Sequence, residues 1–175
     1  MNGFNHSKDF LYNLCDKFPN AIRAVQEHWL APPYIKQQGL NRLRLLRSDF
    51  DGFGNSAMSK DVSTKIRTGR PFGGTGFLYH NKYSSCLKPL VKYKHGRVSA
   101  LELNANDRNI ILINGYLPFY NTRDLQNQRI LYQDTLAFME VIMDDNPSSE
   151  FIFLLDMNCN IYNTNHMSFL NCLEI

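Results

Sequence analysis

The segment Phe151-Ile-Phe-Leu-Leu-Asp-Met-Asn-Cys-Asn160 constrains the fold more than any other. Five apolar residues run without a break into Asp156, one spacer and Asn158. A run of that length reads as a buried strand. Period-two alternation then sets Asp156 and Asn158 on one side at its C-terminal end. A carboxylate there can hold a hard metal or take a proton. An amide can orient a phosphate or a water without adding charge. The same pair also ends strands in plain turns, and taken alone the turn is the simpler reading.

Three other segments repeat the pattern. Ala21–Leu30 alternates apolar and polar residues and then presents Gln26, Glu27 and His28. Asn109–Pro118 delivers Asn114 and Tyr116 and stops at Pro118. Gly73–His80 opens on glycines and ends at His80. Buried strands that each bring polar residues to one rim describe a site along a sheet edge.

Helices complete the layout. Asp9–Phe18 places Phe10, Leu11, Leu14 and Phe18 on one helical face, with Ser7 as a candidate N-cap. Arg123–Asp145 carries a stripe of Ile130, Leu131, Ala137, Phe138, Val141 and Ile142, and Pro147 follows its end. Arg97–Asn104 reads as a strand and Asn106-Asp107 as the turn after it. Leu40, Leu43, Leu45 and Leu46 can pack, while Asp51–Gly54 and Thr68–Pro71 are loop signals. This order predicts an α+β chain with helices packed on sheets.

Composition fits one domain over residues 1–175, long enough to bury a core. The 43% apolar and 20% charged content is ordinary for a globular chain. Cysteines 15, 86, 159 and 172 form no close pair, which argues against a zinc or disulfide framework and for thiols in a reducing, intracellular compartment. No apolar run approaches the ~18 residues of a membrane span. A net charge of +3 is compatible with a nucleic-acid partner without arguing for one.

The four polar-ended strands together resemble the endonuclease/exonuclease/phosphatase superfamily, and in particular the endonuclease domain of non-LTR (LINE-type) retrotransposons. That family's Gln-Glu pair is matched by Gln26-Glu27, and its Gly-Gly strand by Gly73-Gly74 onward. Its Asn-x-Tyr-x-Pro is matched by Asn114, Tyr116 and Pro118. Its Gly-Asp-x-Asn is matched by Asp156 and Asn158, with Leu155 in place of the glycine. The resemblance implies a four-layer α/β/β/α sandwich whose site lies where two facing sheets meet. It also marks departures. The first motif survives only as Asn2-Gly3, Phe119 stands where related nucleases often carry Asn, and no Ser-Asp-His motif occurs before Ile175. The expectation is a domain truncated at both ends, lacking its C-terminal part, weak or inactive as given, with an uncovered strand edge.

By the same resemblance, Glu27 is the expected Mg²⁺ ligand (Mn²⁺ as a substitute), assisted by Asn2, since hard cations favour carboxylate oxygen. Asp156 is expected to activate the attacking water, and Asn158, Tyr116 and Asn114 to contact substrate phosphate. Tyr116 has a plainer reading as a cross-strand core aromatic. The implied function is nicking of DNA by in-line water attack, next to a linked reverse transcriptase and in the nucleus. The alternatives are a phosphoesterase acting on RNA, phospholipid or inositol phosphates, and a non-catalytic remnant. His28 and Trp29, next to Glu27, could touch nucleic acid by stacking, but the plainer reading makes His28 a surface polar group and Trp29 a cap on the core. Gly73-Gly74 is no phosphate loop, because no Lys-Ser/Thr follows it. The basic stretch Lys88–Arg97 reads equally as a DNA-tracking element and as a solvated hairpin face.

Overall fold

The strand segments pair in two separate sets. The computed structural model describes residues 4–30, 46–57, 73–119 and 125–158. Its elements run α1 (Phe4–Lys17), β1 (Arg23–Gln26), β2 (Phe50–Asn55), β3 (Thr75–His80), β4 (Leu87–Pro89), β5 (Val98–Ala105), β6 (Arg108–Tyr116), α2 (Leu125–Asp144) and β7 (Glu150–Asp156). One sheet has the order β1-β3-β2, the other β4-β5-β6-β7. Asn106 and Asp107 join β5 to β6 with φ of 50° and 61°. These residue types tolerate the left-handed region, as a two-residue hairpin requires. β6 and β7 are parallel. Parallel neighbours need a crossover, and α2 supplies it.

Alternation along the strands sorts the core into layers. Val25, Leu78 and Phe50 pack with Leu11 and Cys15 of α1 on the outside of the first sheet. Phe77 and Tyr79 meet Leu87, Leu101 and Leu112 between the sheets. Val98, Ala100, Ile111 and Ile113 pack with Met139 and Ile142 of α2 on the far side. The result is the four-layer α/β/β/α sandwich. Each fully buried aliphatic side chain contributes roughly 1.5–3 kcal/mol. Arg23 ties α1 down, donating at 2.9 Å to the Leu14 carbonyl in the last turn of the helix.

Several local expectations change. α1 starts at Phe4, so Ser7 lies inside it and is no N-cap. Leu11 and Cys15 point inward, while Phe10 and Phe18 are exposed. Asp51–Gly54 is no loop but part of β2, because pairing with β3 satisfies the backbone that two glycines leave pliable. The buried face of α2 is Tyr132, Thr135, Met139 and Ile142, and Ile130, Leu131 and Val141 face outward. Polar atoms explain the rotation: the Tyr132 hydroxyl donates to the Met157 carbonyl at 2.8 Å, and the Thr135 hydroxyl to Leu131 O at 2.7 Å. β7 is a strand as expected, but only partly buried: Phe151, Leu154 and Leu155 pack on the cores, while Ile152 is 46% and Phe153 43% exposed. Leu46 is buried; Leu40, Leu43, Leu45 and Thr68–Pro71 lie outside the described residues.

Candidate active site

Two strands from different sheets end at one point. Glu27 is the first residue past β1, and Tyr116 is the last of β6. The Tyr116 hydroxyl donates to Glu27 Oε1 at 2.6 Å. Burial, and then the hydrogen bond to the Glu27 carboxylate, push the phenol pKa up to about 12. At neutral pH the phenol therefore stays a donor. Glu27 itself has a φ of +53°, which turns its side chain off the line of β1. The Tyr116 side chain is only partly buried, and its hydroxyl is engaged at the strand ends rather than in the apolar core.

The layer beneath is a polar lock between the sheets. Asn114 is wholly buried. Its Nδ2 donates to Val25 O at 3.1 Å and Gly76 O at 2.7 Å, and its Oδ1 accepts from Gln26 Nε2 at 2.7 Å. The phosphate contact expected of Asn114 is thus corrected. Its amide is saturated inside the sandwich, where no substrate reaches, and it holds β6 to β1 and β3.

Asp156 sits opposite Tyr116 in the β6–β7 register and is exposed. Asp156 Oδ1 accepts from the Asn158 amide at 3.1 Å, an Asx turn. Asn158 has a φ of +47°, beyond the end of the strand. Strand alternation therefore does not place it. The turn swings its side chain back, where Nδ2 donates to Leu117 O at 2.7 Å. Glu27, Tyr116, Asp156 and Asn158 share one rim.

Other expected site residues fall differently. His80 ends β3 at the far end of the sheet, because Thr75, not His80, pairs with Gln26. Gly73 and Gly74 do not start the strand; they precede it with φ of +62° and +89°, beside the Glu27 turn. His28 is no surface group but fully buried, and burial drives its pKa down to about 4. Phe119 is exposed. Asn2 lies outside the described residues. Within the basic stretch, Tyr93 is buried and Lys92 bonds Asp145 at 3.1 Å, so this end of it packs against α2.

Arg97, which the sequence offered only as the last residue of the basic stretch, joins this rim. It is half-buried, and its guanidinium lies 5.5 Å from the centre of the Tyr116 ring. Burial lowers its pKa, opposed by Tyr116 and Glu27. Its backbone oxygen accepts from the Tyr116 amide at 2.9 Å, which fixes it to this rim. The signal was its place just ahead of β5, one strand from Tyr116; the neighbouring lysines masked it. Among the described residues no three His, Cys, Asp or Glu gather to hold a metal. A cation here would rest chiefly on Glu27 and keep most of its waters, which suits Mg²⁺ and not a closed zinc site.

No protein-family model and no curated protein matches the sequence. Solved structures do match. The Neisseria 3′ phosphatase NExo, bound to a product DNA hairpin, superposes with a TM-score of 0.61 at 12% identity, over 99% of this chain and 67% of that one. The human Nocturnin catalytic domain gives 0.53 at 14%, over 91% and 59%. The endonuclease domain of TRAS1, a telomere-specific non-LTR retrotransposon, gives 0.53 at 13%, over 95% and 64%. This chain has their endonuclease/exonuclease/phosphatase fold. It spans about three fifths of the Nocturnin domain's length.

Proposed function

We propose that this chain is a metal-dependent phosphodiesterase domain that nicks DNA, of the kind found in non-LTR retrotransposons. The Glu27–Tyr116 contact at the meeting point of the two sheets carries the reading, and the likeness to nuclease structures supports it. A Mg²⁺ held through Glu27 would supply positive charge to a phosphoryl oxygen and help the leaving alkoxide. Asp156, exposed beside the phenol, accepts the proton of the attacking water. On substrate binding the Tyr116 hydroxyl, which has one proton to give, leaves Glu27 Oε1 and donates to a phosphate oxygen, and Asn158 donates to the same phosphate. Arg97 lends a charge that strengthens as phosphoryl charge grows. In this reading the domain works on nuclear DNA beside a reverse transcriptase.

The test is nicking of supercoiled plasmid with Mg²⁺ or Mn²⁺. Asp156→Asn is expected to lower the rate by about 10²–10⁴. Glu27→Gln is expected to abolish any rise in melting temperature that the metal produces. A folded protein that leaves plasmid intact, and melts identically with and without metal, would end the proposal. Cleavage of RNA or of small phosphoesters alone would move it to another substrate class.

A further inference from the structure

Four left-handed residues meet beside the site. They are Glu27, Trp29, Gly73 and Gly74, with φ of +53°, +55°, +62° and +89°. Glu27 and Trp29 have side chains, and this conformation costs each of them about 1–2 kcal/mol. Such a turn persists only where its surroundings hold it. The Trp29 amide bonds Gly73 O at 3.0 Å, and His28 lies between the two strained residues.

His28 is the buried centre of this cluster. Its Nδ1 accepts from the Leu30 amide at 2.9 Å, so Nε2 carries the proton and donates to Asn55 O at 3.1 Å. Both ring nitrogens are satisfied. Gly74 presses on the same ring: a Cβ built there would stand 2.3 Å from Cε1 and 2.6 Å from Nε2. Only glycine leaves room for the imidazole. The Asn55 side chain continues the path, with Nδ2 donating to Tyr93 O at 2.9 Å and Val98 O at 2.7 Å. Val98 pairs with Gly115, the neighbour of Tyr116. A line of bonds thus runs from the Glu27 turn, through His28 and Asn55, to the strand pair that carries Tyr116.

We infer that His28, packed on Gly74 and relayed through Asn55 to the second sheet, is the positioning residue that sets Glu27 against Tyr116. It touches neither metal nor substrate. It fixes where the carboxylate stands, and any effect on turnover rests on the function proposed above. Sub-ångström misplacement of a reacting group is enough to cost rate.

The decisive measurement needs no activity. In metal-free protein, Tyr116→Phe removes the bond to Glu27 and lowers the melting temperature by about 2–4 °C. In a His28→Leu background, which keeps apolar volume but no hydrogen bonds, the same change is expected to cost less than about 1 °C. Gly74→Ala keeps the imidazole but displaces it, and should erase the effect in the same way. Using both variants guards against one failing to fold. His28→Asn, whose Oδ1 can accept from the Leu30 amide, should restore the full Tyr116→Phe effect. Leu87→Ala, buried between the sheets at the end away from Tyr116, should cost the same measurable amount in every background, which a general loosening would not allow. Equal Tyr116→Phe shifts in the parent, His28→Leu and Gly74→Ala proteins would overturn the inference. Where nicking is measurable, His28→Leu should lower kcat about tenfold with KM unchanged. Absence of nicking from the parent would end the nuclease reading and leave the melting comparison to decide on His28.

Discussion

β6 and β7 are neighbours with nearly interchangeable apolar sequences, Ile110-Ile-Leu-Ile and Phe151-Ile-Phe-Leu-Leu, yet they live in different surroundings. Ile111 and Ile113 of β6 are wholly buried, whereas Ile152 and Phe153 of β7 stand more than two fifths exposed. The polar ends differ as well. Asn114 and Tyr116 are fixed by bonds that cross from one sheet to the other. Asp156 and Asn158 are fixed by a local turn and the first residue beyond β6. One half of the rim is set by the interior, and the other by its own backbone. Stability should therefore follow β6, while chemistry can be altered on β7 at little structural cost.

The largest difference is expected between the two asparagines. Asn114→Leu removes one acceptor of Gln26 Nε2, which keeps Leu154 O, and the side-chain donor to the carbonyls of Val25 and Gly76 inside the sandwich. Unpaired buried groups cost about 1–3 kcal/mol each, so a total loss of roughly 3 kcal/mol or more is expected by urea denaturation. Asn158→Ala removes one partly buried bond and should cost about 1 kcal/mol. Equal losses would break the contrast.

The isoleucines should divide next. Ile113→Ala leaves a cavity beneath α2 and should cost ~2–5 kcal/mol. Ile152→Ala removes contacts that are half made already and should cost roughly 1 kcal/mol. Ile152→Lys, whose stem keeps part of the contact, should cost no more than Ile152→Ala and slow aggregation, since a charge on a strand with one neighbour among the described residues opposes edge-to-edge pairing. A large loss at Ile152 would mean that β7 is covered in solution.

This contrast marks what the sequence can and cannot carry. Strands ending in Glu27, Tyr116 and Asp156 were legible because apolar runs and turn residues are local signals. Which strand is left partly uncovered was not, since an apolar run does not name its neighbours. The phase of α2 escaped for a related reason: the sheet receives Tyr132 and Thr135, polar residues whose hydroxyls find carbonyls, and a stripe drawn through the most apolar residues passes them by. Asn114 was legible as a polar residue near the site, but its direction is set by a second sheet 88 residues away in sequence at Gln26. His28 and Arg97 were hidden by company, one beside an exposed-looking turn and the other among lysines.

Tyr116 and Asp156, opposite each other in register, test whether structure and chemistry separate at the site itself. Tyr116→Phe leaves the half-buried Glu27 carboxylate without its donor, and should cost about 1–2 kcal/mol of stability. Asp156→Asn sits on the exposed side and should stay within ~0.5 kcal/mol of the parent while removing nicking. Comparable destabilisation by the two would show that Asp156 is as structural as Tyr116.

The smallest expected effect lies at the other end of the same strand pair. Arg108, the first residue of β6, holds Glu150, the first of β7, with Nε 2.7 Å from Oε1 and a second bond between Nη2 and Oε2. The guanidinium keeps the Glu150 carboxyl below its ordinary range. The folded pKa is lowered, so this pair stabilises the attachment of β7 above the unfolded carboxylate pKa and loses that contribution as pH falls through the folded value. Both groups are exposed, and salt screens them, so the effect on global stability is slight. Hydrogen exchange resolves it better. Above the ordinary carboxylate range, Glu150→Gln should speed exchange of the β7 amides that pair with β6 and leave the β5–β6 amides unchanged. As the pH is lowered, the protonated parent and the variant should converge. Faster exchange in the β5–β6 pair as well, or a gap that widens toward acid pH, would mean that β7 does not open separately from its buried neighbour.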